Sequence, residues 1–237
     1  MSLQKYKVES WLYSYDMELA GPYGIPVIQP NTADVSKYTW ADFRQSQIYR
    51  KSAEELKSWG VHFFLDDFKF TCVYNSMPKY TKMLSRIGLV CSPDFSLYTD
   101  YPLVLQLYNH YRKHVVAAFW QRSGMNVIPT ICWSTPESYA WCFDGEPEES
   151  TVAIASTNIG QSKERRRAFK HGYDEMMIRL RPKQILWYGE RFEECEGPIF
   201  DIPSFAAQRW RGKESEHTNV TMRQAPTGEE QDGSAEI

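Results

Sequence analysis

Short apolar runs alternate with longer amphipathic ones along most of this chain, and polar residues punctuate each change. The pattern is plainest between Gly88 and Gly145. Leu89 to Cys91 is an apolar triplet of the kind a strand buried on both faces shows. Ser92-Pro93-Asp94 ends it, because Pro93 has no amide hydrogen for a ladder. Thr99 or Asp100 can cap a helix whose first turn holds Pro102. Within that helix Val104, Leu107, Tyr108, Tyr111, Val115, Ala118 and Phe119 recur at three- and four-residue steps and form one apolar stripe. Gln106, Asn109, His110 and Lys113 fall on the other side. Gly124 is a left-handed stop, and Val127 to Trp133 resumes as a strand. Two strands joined by a helix of this length are expected to be parallel, with a right-handed crossover.

The same phrasing extends outward. Ile25 to Ile28 reads as a first short strand that ends at Gln29-Pro30-Asn31, and residues 31–50 read as a connection with at most one helical turn. Ser52 and Glu55 have capping-box spacing. The helix they start ends at Trp59-Gly60, and Val61 to Leu65 follows as a strand ending at Asp66-Asp67. Phe68 to Tyr74 either extends that strand or turns outward. Pro78 opens a helix that Gly88 closes. Ser134 to Glu137 starts a short helix towards Trp141, which breaks at Asp144-Gly145. Thr151 to Ala155 is a strand, Lys163 to Leu180 a long helix, and Gln184 to Tyr188 the last clear strand.

This alternation predicts an α/β fold: a mainly parallel sheet of about six strands with crossover helices. A distorted or incomplete TIM-like barrel and an open doubly wound sheet both fit. Pro129 speaks against a regular central ladder at its position, so a bulge or a barrel rim is expected there. Residues 1–24 read as a lead-in, 25–211 as a single α/β domain, and 212–237 as a polar tail expected to be disordered.

Composition narrows the class. With 42% hydrophobic residues in 237, the chain can build an ample core. A formal charge of −3 disfavours wholesale wrapping of nucleic acid, though not a local basic patch. No apolar run approaches the ~18 residues of a membrane span, and the N-terminus lacks a signal-peptide pattern. The five cysteines are an odd count, and Cys72, Cys91 and Cys132 lie in or beside strands, which suggests reduced thiols in a cytoplasmic protein.

Several phrases carry a family resemblance. They are Gly24-Ile-Pro-Val27, Leu65-Asp-Asp67, Ser92-Pro-Asp-Phe-Ser-Leu-Tyr98, the helix bearing Gln106, Asn109 and Tyr111-Arg112, Val127-Ile-Pro-Thr130 with Trp133, Cys142-Phe-Asp-Gly145, and Tyr188-Gly189. Together they resemble domain-of-unknown-function family 4417, found in phages, prophages and bacterial mobile elements. The likeness spans roughly Gly24 to Gly189, and Ser92 to Tyr98 is its most specific part. It implies a phage or mobile-element setting and no particular activity.

In parallel α/β folds the loops at the carboxyl ends of the strands converge on one face. Here that places together Asn31, Asp66, Asp67, Asp94, Trp133, Ser134, Ser156, Thr157, Asn158, Tyr188 and Glu190, with Asp144 joining from its loop. Neighbouring strands lie ~4.8 Å apart, so Asp67, Asp94 and Asp144 are the candidate catalytic carboxylates. Asp67 and Asp94 can also hold Mg²⁺ or Mn²⁺. Each aspartate taken alone is more readily a loop or helix cap. Ser156 to Ser162, leading into Lys163, Arg165, Arg166 and Arg167, offers backbone amides and cations to a phosphate, but it lacks the Walker glycines, and a solvated helix face explains it more simply. Asn31, Tyr98, Arg112, Trp133, Ser156, Thr157 and Tyr188 complete the candidate substrate contacts. The cysteines lack zinc spacing, and His62, His110, His114, His171 and His217 show no pairing with acids or nucleophiles.

Three functions remain open at this level. The first is a carboxylate-based, metal-assisted hydrolase acting on a phosphorylated or nucleic-acid substrate. The second is a module without chemistry that holds a small ligand or a host or phage protein. The third, weaker, is a carbohydrate-active barrel, which needs two facing carboxylates.

Overall fold

A computed structural model describes residues 14, 16–45, 48–157, 159–160 and 162–202. The reading of 212–237 as a tail, residues 203–211 of the expected domain, and residues 1–13 and 15 of the lead-in lie outside the described residues. The strands are β1 (Leu19–Ala20), β2 (Ile25–Pro26), β3 (Thr39–Asp42), β4 (Trp59–His62), β5 (Leu89–Cys91), β6 (Val127–Ile128), β7 (Thr151–Ala155), β8 (Gln184–Tyr188) and β9 (Ile199–Asp201). The helices are α1 (Ala53–Leu56), α2 (Cys72–Asn75), α3 (Met77–Leu84), α4 (Leu103–Arg122) and α5 (Lys163–Leu180). The capping box at Ser52 and Glu55 forms as expected and starts α1, and Gly124, at φ +81°, follows the end of α4.

The fold is mixed α/β and mainly parallel. Strands β3-β4-β5-β6 make one sheet and β7-β8-β9 a second, all pairs parallel, while β1 and β2 form a separate antiparallel pair. A parallel bridge between Thr130 and Ala153 joins the two larger sheets. The Ala153 amide donates to the Pro129 carbonyl at 2.8 Å. Pro129 therefore sits where β6 has already ended and only its acceptor is used, which accounts for its place beside a ladder. Spatial neighbours are sequence neighbours throughout, so the order never reverses as a doubly wound sheet requires. Among the described residues β3 and β9 do not pair, so the expected TIM-like barrel is not closed.

β1 lies in the stretch read as a lead-in, two further strands escaped the sequence pattern, and one was misplaced. Ile25 to Ile28 contributes to the small hairpin and not to the parallel sheet, whose first strand is β3, inside the presumed connection. β9 pairs with β8 in a stretch that reads as irregular. Both are short, and β9 is only partly buried, so neither shows a strand period.

Alternation along the strands builds three cores. Ala41, Val61, Val90 and Val127 face α1, α3 and the second half of α4. Val152, Ile154, Ile185 and Trp187 face α5. The intervening residues Trp40, Leu89, Cys91, Ile128, Ala153 and Leu186 form a single cluster on the opposite face of both sheets. Phe64, just past β4, stacks on Tyr188 of β8 at 5.2 Å although β5, β6 and β7 lie between them in sheet order. Only a strongly curved sheet brings them together. Gly60 makes room inside that curve: a Cβ there would lie 2.7 Å from the buried Trp40 indole. Gly60→Ala is expected to destabilise the protein by about 1–3 kcal/mol through overpacking. Urea unfolding checks this, and an unchanged midpoint would show that Trp40 can yield.

The expected stripe on α4 is reversed over its first half. Leu103, Val104, Leu105 and Tyr108 are exposed, while Gln106, Asn109, His110, Lys113 and His114 are buried. Val115 and Ala118 of the stripe do reach the core. The reason lies in what faces each half. The second half packs against sheet side chains. The first half meets main-chain carbonyls: Gln106 donates to Tyr101 O at 2.8 Å, Asn109 to Ser96 O at 2.7 Å, and Lys113 to Thr130 O at 2.9 Å. Buried amides and an ammonium satisfy those acceptors, which apolar side chains cannot do. Among the described residues no helix is long and apolar enough to cross a membrane.

Candidate functional site

The Ser92 to Tyr98 segment leaves the carboxyl end of β5 and is held on both sides. Ser92 Oγ accepts from the Thr130 amide at 2.8 Å, and Thr130 Oγ1 donates to Ser92 O at 2.8 Å. Asp67 caps the far end of the segment, accepting from the Ser96 hydroxyl at 2.8 Å and the Ser96 amide at 3.2 Å. Arg112 pairs with Asp67 at 3.3 Å and lies over the Phe95 ring at 3.6 Å. Burial pushes the Asp67 carboxyl up, while Ser96 and Arg112 pull it back. Both Asp67 oxygens are thus committed to protein donors.

Asp94 sits inside this frame without such help. It is half-buried, and among the described residues nothing donates a hydrogen bond to its carboxylate. Desolvation, followed by the Asp67 charge, raises its pKa to about 7, although Lys113 opposes the shift. A carboxyl group raised in this way at a parallel strand end has the chemistry to accept or give a proton near neutral pH.

Behind Asp94 lies a fully buried polar cluster. Lys113 Nζ bonds Glu146 Oε1 at 2.5 Å, and His114 Nε2 lies 3.0 Å from the same oxygen. Both side chains of the Lys113–Glu146 pair are 0% exposed. Burial alone would raise the Glu146 pKa, but Lys113 and His114 hold it below the usual range. Burial lowers the pKa of both His110 and His114. His110 Nδ1, Glu146 Oε2 and Asp144 Oδ2 are buried without a hydrogen-bond partner among the described residues. One ligating atom each from His110, His114 and Glu146 lie within 4.8 Å of one another, a spacing that can hold a metal ion.

The other expected site residues scatter. Asp144 does not join Asp94: its carboxyl feels His114 and Arg179, and it is covered by Gly21 of the β1–β2 turn. Asn31 sits at the opposite end of the strands, bonding Val127 O at the start of β6 and lining a cleft of about 620 Å³ that none of the three aspartates reaches. Trp133 packs on Phe169 and Gly172 of α5. The Ser156 hydroxyl donates to Glu190 O at 2.6 Å and accepts from Trp187 Nε1. Thr157 is exposed, Tyr98 is exposed and edges onto Tyr101, and Tyr188 stacks in the inner cluster. In the first turn of α5, Arg166 pairs with Glu190 at 3.7 Å, and in the turn before the helix Asn158 and Gln161 lie outside the described residues.

His110, Lys113, His114 and Glu146 are the polar residues that pattern reading passed over. The signal was available: His110 and His114 are four apart on a helix, hence on one face, with Lys113 beside them.

Comparison with known proteins adds a lineage. A profile described as "Domain of unknown function (DUF4417)" matches residues 17–206. The chain is 38% identical over 188 residues to the "Gene 1 protein" of Mycobacterium phage L5, covering 78% of each chain. It is 37% identical over 175 residues to the "Gene 1 protein" of Mycobacterium phage D29, covering 73% of this chain and 63% of that protein. No solved structure matches.

Proposed function

The chain belongs to the phage-associated DUF4417 family, and from that premise we propose that it is a hydrolase in which Asp94 transfers the proton. The observation that carries this reading is the Asp94 carboxyl group, half-buried, free of hydrogen-bond donors among the described residues and raised to about 7. As a carboxylate it takes a proton from water, whose oxygen forms the new bond to the substrate. The bond to the leaving group breaks, and the leaving oxygen takes the proton from Asp94. Asp67 and Arg112 position the loop that carries Asp94. Their mutual bonds favour that role over holding Mg²⁺ or Mn²⁺, and they weaken the reading as a glycosidase pair.

A phosphorylated substrate, nucleotide or single-stranded nucleic acid, is the first choice. α5 begins at the carboxyl end of β7, on the rim that Asp94 shares, and the exposed Lys163 and Arg167 give that rim positive charge. The test is an assay of the purified protein against nucleotides and single-stranded DNA across about pH 5 to 8. Cleavage should fall on the order of tenfold per unit below about pH 7, as the base is protonated. Absence of turnover, or a rate indifferent to pH, would remove the proposal.

One observation favours a second reading, a module that docks a host or phage protein. Leu103, Val104, Leu105 and Tyr108 are large apolar side chains exposed at the start of α4. Retention of full host association by a Val104→Glu variant would sink it.

A further inference from the structure

We propose that His110, His114 and Glu146 form a binding site for a divalent first-row transition-metal ion, of which Zn²⁺ is the reference case. The inference is independent of the Asp94 chemistry.

Hydrogen-bond direction carries it. A carbonyl oxygen only accepts, so the ring nitrogen facing it bears the proton. His110 Nε2 lies 3.1 Å from Asp144 O, which makes it the N–H and leaves Nδ1 as the lone pair. His114 Nδ1 lies 2.7 Å from Pro26 O, which likewise leaves Nε2 as the lone pair. In neutral rings, then, His114 Nε2 confronts Glu146 Oε1 at 3.0 Å with no hydrogen between two acceptors. Protonating His114 would relieve that contact but would leave His110 Nδ1 and Glu146 Oε2 orphaned in a dry interior. A cation satisfies all of them at once.

The surroundings match what ligating histidines usually have. Each ring is oriented by a backbone carbonyl on its far nitrogen, which fixes the tautomer and aims the other lone pair inward. The four-residue spacing on α4 puts both rings on one face, with centroids 4.3 Å apart. Two imidazoles and a carboxylate suit Zn²⁺, Co²⁺, Mn²⁺ or Fe²⁺ better than Mg²⁺ or Ca²⁺, which prefer oxygen alone. Glu146 supplies an anionic ligand, with Lys113 Nζ on its Oε1 at 2.5 Å and its Oε2 free.

The experiment uses the full chain, stripped with chelator and reloaded with Zn²⁺ or Co²⁺ alone. Wild type should take up one equivalent, gain thermal stability on loading, and show the visible absorption of low-coordinate Co²⁺. X-ray absorption of the Zn²⁺ form should show imidazole scattering, with ligands at ~2.0–2.1 Å. His114→Gln and Glu146→Gln should weaken uptake by more than ~100-fold, beyond the loss typical of second-shell changes. Asp94→Asn should bind as wild type does. If either buried variant fails to fold, the absorption spectrum of wild type decides alone. No uptake by wild type, scattering without imidazole, or full uptake by both folded variants would overturn the site and leave a buried ion pair with its histidine neighbours.

Discussion

Lys113→Met is expected to lower stability by about 3–5 kcal/mol, the penalty for leaving one member of a buried ion pair without its partner. Lys113 and Glu146 are both fully enclosed. The ammonium also satisfies Thr130 O at 2.9 Å, where β6 passes into the bridge that joins the two sheets. Methionine restores the volume of the stem but neither charge nor donor. In a domain of this size the loss corresponds to a fall in Tm of roughly 6–20 °C. Adding Glu146→Leu to it should recover part of the loss, because the orphaned charge then disappears. A single variant within about 1 kcal/mol of wild type would mean that Glu146 is neutral in the fold, and the tie between α4 and the sheets would need another explanation.

That pair also shows where sequence reading succeeds and fails here. Strands β5, β7 and β8 and helix α5 were legible because their residues serve one purpose: one phase faces helices, the other the inner cluster, and the ends carry caps or breakers. α4 serves two. Its second half packs against side chains and obeys the apolar stripe, while its first half packs against carbonyls, so burial there selects Gln106, Asn109, His110 and Lys113. An amphipathic pattern assumes that the core is apolar. Where the core is backbone and charge, the pattern inverts, and the residues it assigns to solvent are the ones that are buried. Asp94 is nominated by position alone, at a strand end. Asp67 and Asp144 were nominated for the same reason, but Asp67 is spent on Ser96 and Arg112 and Asp144 faces the hairpin. Position does not reveal which carboxylates have donors. Asn31 failed at an earlier step, because Ile25 to Ile28 pairs outside the parallel sheet and carries no direction for its end.

Asp94→Asn is expected to remove activity and add stability, and the two changes together discriminate function from scaffolding. The amide keeps the shape but cannot accept a proton, so turnover should drop by ~10²–10⁴-fold, the usual worth of a general base. The stability effect follows from linkage. The folded pKa, about 7, is above the ordinary carboxyl value of ~3.9. Between those values the folded chain holds a proton that the unfolded chain has released. Stability therefore drains as pH rises through that window and stays at its lower level above it. The asparagine variant carries no such proton and should lack that component of the decline. Thermal melts of both proteins should nearly coincide at about pH 4 and separate at about pH 8, with the variant melting higher. A loop-capping aspartate would behave in the opposite way, losing stability on substitution because its donors would be left unmatched. A variant that retains activity, or that melts lower than wild type at about pH 8, would assign Asp94 to the scaffold.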